Sequence, residues 1–332
     1  VAPMEKLLIA RPWNFDHRSG DSGQRGGGTA VTFMLELGEI YHAVSTGVRG
    51  LPMADYDIEQ LCGNIRGTFS KCHNTASTGV VVLSGSSGRV DTLRANLFAE
   101  AGAHALALQW FGGVDQSPGI CEIPIKTFID AVDFLVSRGC RRIVFVGTSK
   151  GAEAALLAST IDRRVNVVIA LSPTSVVWGN IGSGLDGTDW PERSSWSLDG
   201  VPLEFIPADL NWQKVYRDDL VSYRSFFETC LANDIEVNKR ARIPIEKTCA
   251  DLVLVAGGDD ALWPSDKFAQ ELVQTRRAYG LSVEMIFEQY AGHRILLPGE
   301  VTARSKLHAH GGTDEADARL GQIAWDAISG LL

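Results

Sequence analysis

The stretch that decides the fold is residues 141–159, which read RRIVFVGTSKGAEAALLAS. The segment 143–146 is a short run of β-branched and aromatic residues of the kind that fills a buried parallel strand. Residues 147–151 follow as a G-x-S-x-G, and the residues after them are almost all Ala, Leu and Glu, which are strong helix formers. A strand, a tight turn and a helix form the context that a nucleophile elbow requires. We therefore predict that Ser149 is an accessible nucleophile on a strained strand-to-helix turn.

The sequence on both sides continues this alternation of strand and helix. On the helix predicted from 90 to 101, the spacing places Leu93, Leu97 and Phe98 on one face. Successive strand–helix units predict an α/β fold with a mostly parallel central sheet and helices on both faces. The predicted strands are 80–83, 105–110, 143–146, 165–171, 252–256 and 282–287, and the other predicted helices are 125–135, 152–158, 267–279 and 314–331.

The alternation breaks after the strand at 165–171. Residues 172–248 carry four tryptophans, several glycines and prolines, and one predicted helix at 218–231. A long irregular segment inside a regular domain is usually functional, so we predict a lid or substrate-binding cap at about 174–248. The alternative is a structural excursion that packs its tryptophans on the sheet edge. We assign 61–332 to a catalytic domain and 1–60 to a short N-terminal extension, with strands at 31–37 and 41–48.

Composition excludes several classes of partner. The 332 residues carry a formal net charge of -9 with acids and bases interspersed, and without a basic stripe a nucleic-acid partner is not expected. No apolar run approaches the length of a membrane span, and no secretory signal pattern is visible. The six cysteines contain no C-x-x-C pair, which predicts free, mostly buried thiols in a reducing compartment. We expect a cytoplasmic protein that does not bind membranes, and the oligomeric state stays open.

A serine nucleophile needs a base within hydrogen-bond reach and an acid to orient that base. In α/β-hydrolases the acid and then the histidine follow the serine along the chain. His293 lies in a Gly-His turn just after the last predicted strand, whereas His308 and His310 lie in a polar stretch that reads as surface. Asp259 and Asp260 directly follow a strand, and the Gly257-x-x-Asp260 spacing favours Asp260. We predict Ser149, Asp260 and His293 as the catalytic residues.

Two donors to an oxyanion complete the predicted site. The backbone N–H of Lys150, directly after the nucleophile, is one, and the Gly/Ser loop 84–88 supplies the other. Within that loop we favour the N–H of Ser86, with Ser87 as the alternative. The Lys150 side chain is expected to point away and to form a structural ion pair, with Glu153 as the candidate from helix spacing. No residue cluster has metal-ligand spacing, and we predict neither a metal nor a cofactor.

The chain resembles the C-terminal catalytic domain of the acyl-CoA thioesterase and bile-acid-CoA:amino-acid N-acyltransferase family, within the α/β-hydrolase superfamily. The S-K-G-x-E pattern at the nucleophile turn is more specific for this family than G-x-S-x-G alone. The resemblance spans about residues 62–332 and implies the same Ser149, Asp260 and His293 triad. The matching pieces are 147–153, 243–247, 258–263, 291–293, the Gly311-Gly312 pair and Ala324-Trp325.

The resemblance also implies a substrate class, which is a small-molecule acyl thioester or a related ester that passes through an acyl-enzyme. Family members that transfer acyl groups to amino acids use cysteine as nucleophile, so Ser149 favours hydrolysis. Full-length members carry a β-sandwich domain ahead of the catalytic domain, and the first sixty residues here do not resemble it. The alternatives are an acyltransferase that uses an amine or alcohol acceptor, and a non-hydrolytic ligand-binding member of the fold.

Overall fold

The computed structural model describes residues 56–73, 76–187 and 191–332. The predicted strands at 31–37 and 41–48, and most of the predicted N-terminal extension, lie outside these ranges. The first described strand begins at Tyr56 and already belongs to the central sheet. The strands are β1 (Tyr56–Cys62), β2 (Arg66–Cys72), β3 (Thr78–Leu83), β4 (His104–Leu108), β5 (Ile123–Pro124), β6 (Arg142–Thr148), β7 (Val165–Leu171), β8 (Trp196–Leu198), β9 (Val201–Pro202), β10 (Val215–Arg217), β11 (Leu220–Ser222), β12 (Asp251–Gly257) and β13 (Glu284–Glu288).

Seven α-helices and one short 3₁₀ helix lie in the described part of the chain. No helix there is both long enough and apolar enough to pass through a bilayer. All six cysteines are free thiols, four of them buried, as predicted. The helices are α1 (Thr92–Glu100), α2 (Lys126–Ser137), α3 (Lys150–Ile161), α4 (Arg224–Asn233), α5 (Ile235–Ala241), α6 (Ser265–Ala278) and α7 (Asp314–Ser329), with the 3₁₀ turn at Ile245–Lys247.

The central sheet has eight strands in the order β1-β2-β4-β3-β6-β7-β12-β13. From β4 to β13 every pairing is parallel, and β2 runs antiparallel to both of its neighbours. The predicted α/β class with a mostly parallel sheet is therefore confirmed. Because the strands before the nucleophile, acid and histidine run in the same direction, their C-terminal ends meet at one edge of the sheet.

Side chains alternate between two cores along the central strands. Val81 of β3 and Phe145 of β6 face the core formed with α2, α3 and α6. Val80 and Val82 face the other core, which α1 and α7 cover. Each of these strands is buried on both faces, which explains why the sequence reads as a continuous apolar run rather than an alternating one.

One of the three positions predicted for the inner face of α1 is wrong: Phe98 and Leu97 pack on the core, but Leu93 does not. Leu93 is 75% exposed, whereas Arg94 is 6% exposed, beside buried Ala95 and Phe98. Arg94 lies inside the protein, where Glu300 pairs with its guanidinium in a two-point salt bridge. The salt bridge makes it possible to bury the charge of Arg94, which would be very costly without a partner. Exposure of a single leucine on the other side of the helix costs little by comparison.

The insertion between β7 and β12 contains seven short elements outside the central sheet, and it contributes most of a third hydrophobic cluster. The helix predicted at 218–231 begins only at Arg224. The residues before it form the β10–β11 hairpin, because Asp218 and Asp219 take left-handed φ values of 50° and 61° at its two-residue turn. We call the buried set Val176, Trp178, Ile206, Tyr223, Phe226, Phe227, Cys230, Ala241, Trp263 and Phe268 the aromatic cluster.

Candidate active site

Ser149 lies at the sharp turn between β6 and α3, with φ 56° and ψ -118°. This backbone conformation is strained for a residue with a side chain, and such strain persists only where the surroundings fix it. The Ser149 N–H donates to Leu171 O at 2.9 Å, which ties the turn to the end of β7. The serine is 8% exposed. Its conformation is the one that the G-x-S-x-G pattern predicts for a nucleophile elbow.

The two glycines around Ser149 are required by close backbone approach. A Cβ on Gly147 would lie 2.2 Å from Gly151 O, and a Cβ on Gly151 would lie 2.4 Å from Ser84 O. Real carbon–oxygen contacts are never this short, so a side chain at either position would push β3, β6 and α3 apart. The glycines therefore let the turn fold sharply against the end of β3.

Asp260 and His293 form a buried pair. His293 Nδ1 lies 2.8 Å from Asp260 Oδ2, and the two residues are 6% and 1% exposed. The same carboxylate oxygen accepts from Ser265 Oγ at 2.6 Å, and Oδ1 accepts from the N–H groups of Leu262 and Trp263. Four hydrogen bonds thus hold the carboxylate in one orientation. An imidazole bonded through Nδ1 leaves Nε2 as the atom available to a nucleophile.

The backbone of His293 is fixed as firmly as its ring. His293 N–H donates to His310 O at 2.8 Å, and Ser172 Oγ donates to His293 O at 2.9 Å. Ser172 directly follows β7 and has a left-handed φ of 48°. The His293 ring packs edge-on against Trp263 at 5.8 Å between centroids. Sequence reasoning missed Ser172, since a serine after a strand carries no signal of its own.

Asp259, the alternative acid, has a different set of partners. Arg217 of the β10–β11 hairpin donates two hydrogen bonds of 2.7 Å to its carboxylate, and Gly312 N–H donates a third. The Arg217 hydrogen bonds hold the pKa of Asp259 below its usual value. Asp259 thus connects the insertion to the sheet edge, and Asp260 is the aspartate that bonds to His293.

The other two histidines lie close by but do not bond to Asp260. The His308 ring packs against Tyr223 at 5.4 Å, and burial lowers its pKa. The His310 ring lies 5.9 Å from that of His293, and burial lowers its pKa to about 3. Both histidines are half-buried, since the segment that carries them pairs with β11.

The loop 84–88 lies directly against the nucleophile. A Cβ on Gly85 would meet the Ser149 Cβ at 3.3 Å and its Oγ at 3.8 Å. Lys150 is the first residue of α3, so its N–H has no partner within the helix. Ser86 is half-buried and Ser87 is exposed in the same loop. The two segments predicted to supply oxyanion donors therefore both lie next to Ser149.

The Lys150 side chain is almost completely buried and forms the predicted ion pair. Its Nζ lies 2.6 Å from Glu153 Oε2 and 2.8 Å from Ser195 Oγ. The other Glu153 oxygen accepts from Trp178 N–H and Trp196 Nε1, both in the insertion. Desolvation lowers the pKa of Lys150 and raises that of Glu153. The first turn of the nucleophile helix is therefore bonded to the insertion through two buried charges.

Arg94 is a second residue that sequence reasoning missed. Its guanidinium donates to Thr148 Oγ1 at 2.6 Å, to both oxygens of Glu300 and to Ile295 O. Thr148 precedes the nucleophile, and Ile295 follows His293 by two residues. One buried cation on α1 thus connects the nucleophile turn with the loop that carries the histidine.

Two cavities lie near these residues. The larger, about 450 Å³, is polar and is lined by the hairpin and by segment 304–315, including Arg217, Arg304, His308 and His310. The smaller, about 40 Å³, lies between Lys150 and the aromatic cluster. Within the described residues no group of histidine, cysteine and carboxylate side chains could hold a metal ion. A strained serine turn and a buried Asp–His pair are the groups that serine-dependent acyl transfer uses.

The sequence family described as "BAAT / Acyl-CoA thioester hydrolase C terminal" matches residues 123–330. Mouse acyl-coenzyme A thioesterase 2, mitochondrial, is 25% identical over 301 residues, which cover 86% of this chain and 60% of that protein. Human acyl-coenzyme A thioesterase 1 is 24% identical over 278 residues, which cover 80% and 62%. The chain thus spans about 60% of the length of these curated relatives.

Two solved structures share the fold at low sequence identity. A puromycin-hydrolyzing peptidase of Mycobacterium tuberculosis superposes with a TM-score of 0.52 at 12% identity, covering 86% of this chain and 41% of that chain. The structure described as m3DLH superposes with a TM-score of 0.51 at 14% identity, covering 83% and 97%. These similarities confirm the predicted α/β-hydrolase fold.

Proposed function

We propose a function from the premise that this chain belongs to the BAAT / acyl-CoA thioester hydrolase family, whose C-terminal region it matches over more than half of its length. The proposed activity is hydrolysis of an acyl thioester through an acyl-Ser149 intermediate. The observation that carries it is the Asp260–His293 hydrogen bond of 2.8 Å, at the sheet edge where Ser149 occupies its strained turn. The relatives' names supply the substrate class, an acyl-coenzyme A thioester.

In the first half-reaction Ser149 Oγ attacks the thioester carbonyl carbon and its proton passes to His293 Nε2. Asp260 keeps the Nδ1 proton in place and stabilises the imidazolium. The N–H groups of Lys150 and Ser86 donate to the oxyanion of the tetrahedral intermediate. When the intermediate collapses, the carbon–sulfur bond breaks and His293 returns the proton to the departing thiolate. The acyl group is then esterified to Ser149.

In the second half-reaction His293 removes a proton from a water molecule that attacks the acyl-serine carbonyl. The second tetrahedral intermediate collapses to a carboxylic acid, and Ser149 regains its proton from His293. In this proposal the catalytic domain predicted at 61–332 extends back to Tyr56, where the first strand of the central sheet begins, and the insertion at about 174–248 is the cap beside the site. The free cysteines support a reducing compartment such as the cytoplasm.

The test is detection of the intermediate. Intact-mass spectrometry of the protein mixed with a panel of acyl-CoA thioesters is expected to show a transient acyl adduct, which peptide mapping locates on Ser149. Ser149→Ala, a smaller residue on the same turn, is expected to form no adduct. An adduct that persists until an amine is added would replace hydrolysis by acyl transfer. No adduct and no turnover with any thioester, in folded protein, would overturn the proposal.

A further inference from the structure

We propose that the acyl group of the substrate is short, about two to four carbons, and that it occupies the small apolar cavity beside Lys150. This inference rests on the proposed function and adds the size and polarity of the acyl group to it. It depends on three properties of the cavity, which are its position, its volume and the absence of an available charge on its wall.

The cavity is lined by residues that are direct neighbours of the candidate site, although Ser149, Asp260 and His293 themselves are not on its wall. On one side it is bounded by Lys150, which directly follows Ser149 in the chain. On the other side it is bounded by Phe227, whose ring packs against Trp263 at 5.6 Å between centroids. Trp263 in turn packs against the ring of His293 at 5.8 Å. In this proposal the acyl chain on Ser149 extends past Lys150 to reach this apolar surface.

The polar cavity is the less suitable place for an alkyl chain. Its wall includes two arginines, two histidines and the carboxylates of Asp218, Asp314 and Glu315. Burying methylene groups against such residues would strip them of water without giving back hydrogen bonds. His310 lines this cavity and packs against His293, so the departing thiol carrier can lie here while the acyl group lies on the apolar side.

The volume of about 40 Å³ sets the size limit. A space of this order takes about three groups the size of a water molecule or a methyl. Counting the carbonyl carbon, which stays at Ser149, the limit falls at about four carbons. A longer chain would need the walls to move, and dense packing makes that costly.

The walls are held by hydrogen bonds and ring contacts. Trp178 Nε1 donates to Thr174 Oγ1 at 2.8 Å, and Trp178 N–H donates to Glu153 Oε1 at 2.9 Å. The Trp178 ring packs edge-on against Phe227 at 4.6 Å. Rotation of either ring would break buried contacts on both of its sides. The cavity is therefore a fixed compartment in this structure.

The wall offers no charge to a substrate. Lys150 is the one charged residue on it, and Glu153 pairs with its Nζ at 2.6 Å. Burial raises the pKa of the Cys230 thiol to about 11, so this side chain is neutral at physiological pH. An acyl group with a second carboxylate would be buried here without a partner. The compartment selects an uncharged alkyl group.

The experiment measures kcat/KM for straight-chain acyl-CoA thioesters from acetyl to palmitoyl. We expect a rise of up to about four-fold per added methylene as far as butyryl, the factor that burial of one methylene supports. Beyond butyryl we expect a fall, reaching at least ten-fold by octanoyl. Succinyl-CoA, with the same number of carbons as butyryl-CoA, is expected to react at least ten-fold more slowly.

Three variants move the limit. Cys230→Ala and Phe226→Ala remove atoms from the wall and are expected to shift the optimum to longer chains, more so for Phe226. Ala208→Leu narrows the cavity and is expected to slow butyryl-CoA more than acetyl-CoA. Cys140→Ala removes a buried thiol beside Gly79, away from the cavity, and is expected to leave the chain-length profile unchanged. If Phe226→Ala does not fold, the other two variants carry the test.

The outcomes separate this inference from the proposed function. A wild-type optimum at octanoyl or longer, or an unchanged profile in the folded wall variants, would overturn the size assignment. In that case an acyl-Ser149 adduct with palmitoyl-CoA would still support the thioesterase. Absence of any adduct and of any turnover along the whole series, in folded protein, would overturn both.

Discussion

Removing the charge of Lys150 should cost the protein a large part of its stability. Lys150 and Glu153 are 1% and 0% exposed, and their charged atoms lie 2.6 Å apart. Lys150→Met keeps a side chain of similar length but leaves the Glu153 carboxylate buried without a countercharge. Breaking a buried pair in this way costs about 3–5 kcal/mol. Since a domain has only about 5–15 kcal/mol of stability in total, the midpoint of urea unfolding should fall strongly.

The double variant tells an electrostatic effect from a packing effect. Glu153→Gln alone leaves the ammonium unpaired and should also cost about 3–5 kcal/mol. Lys150→Met/Glu153→Gln removes both charges, while the amide oxygen can still accept from the Trp178 and Trp196 N–H groups. Its loss should not exceed that of Lys150→Met. The two changes are therefore expected to be non-additive by at least about 3 kcal/mol.

A surface pair of the same chemistry is the control. Lys239 Nζ lies 2.7 Å from Glu236 Oε1, also three residues apart on a helix, but the two side chains are 66% and 70% exposed. Lys239→Met should cost less than about 1 kcal/mol. The assay is equilibrium urea unfolding followed by tryptophan fluorescence at constant m-value. A cost for Lys150→Met no larger than that for Lys239→Met, or additive effects in the double variant, would refute the reasoning.

Three further predictions concern single positions. Asp260→Asn should lower kcat by about 10⁴-fold in a steady-state thioesterase assay, because the imidazole loses the partner that holds its tautomer. Asp259→Asn should change kcat by less than about three-fold. Equal losses of kcat in the two variants would contradict the assignment of the acid. Gly151→Ala should destabilise the protein by about 1–3 kcal/mol in urea unfolding, because its Cβ would lie 2.4 Å from a carbonyl oxygen at the end of β3. A Cβ on Gly63 meets nothing within 4 Å, so Gly63→Ala should leave the stability unchanged. Equal urea midpoints for the two variants would contradict this prediction. Burial lowers the pKa of His310 to about 3, against about 6.5 in the unfolded chain. The unfolded state therefore binds the proton first, and the free energy of unfolding should fall as the pH drops from about 6.5 towards 3, by about 2 kcal/mol at pH 5. His310→Gln should flatten this part of the pH–stability curve, and an unchanged slope would contradict the prediction.

Much of the framework could be predicted from the sequence because its signals are local. The parallel strands are buried on both faces and read as apolar runs, so β7 was predicted at its observed bounds, Val165–Leu171. The order along the chain, the Gly257-x-x-Asp260 spacing and the Gly-His turn after the last strand selected Ser149, Asp260 and His293 as candidates. Their roles stay predictions, although the structure brings Asp260 and His293 into one buried hydrogen bond.

The errors arose where a distant partner decides which side chain faces inward. Leu93 was predicted to face the core, but Glu300, more than 200 residues away, pairs with Arg94 and turns that residue inward. In the insertion, the predicted helix at 218–231 lost its first turn to a hairpin. That hairpin is held by Arg217, whose partner Asp259 lies beyond the next two helices.

The sequence by itself determined the sheet, the nucleophile turn and the candidate residues, because periodicity, helix propensity and the glycines around Ser149 act over a few neighbouring residues. Only the tertiary structure decided which aspartate bonds to the histidine, which cavity is apolar and which charges are buried. These properties depend on contacts between segments that are far apart in sequence, where burial makes each unpaired polar group costly and so selects one arrangement. Asp259 and Asp260 are chemically identical neighbours, and their different partners, Arg217 for one and His293 for the other, give them different places in the site.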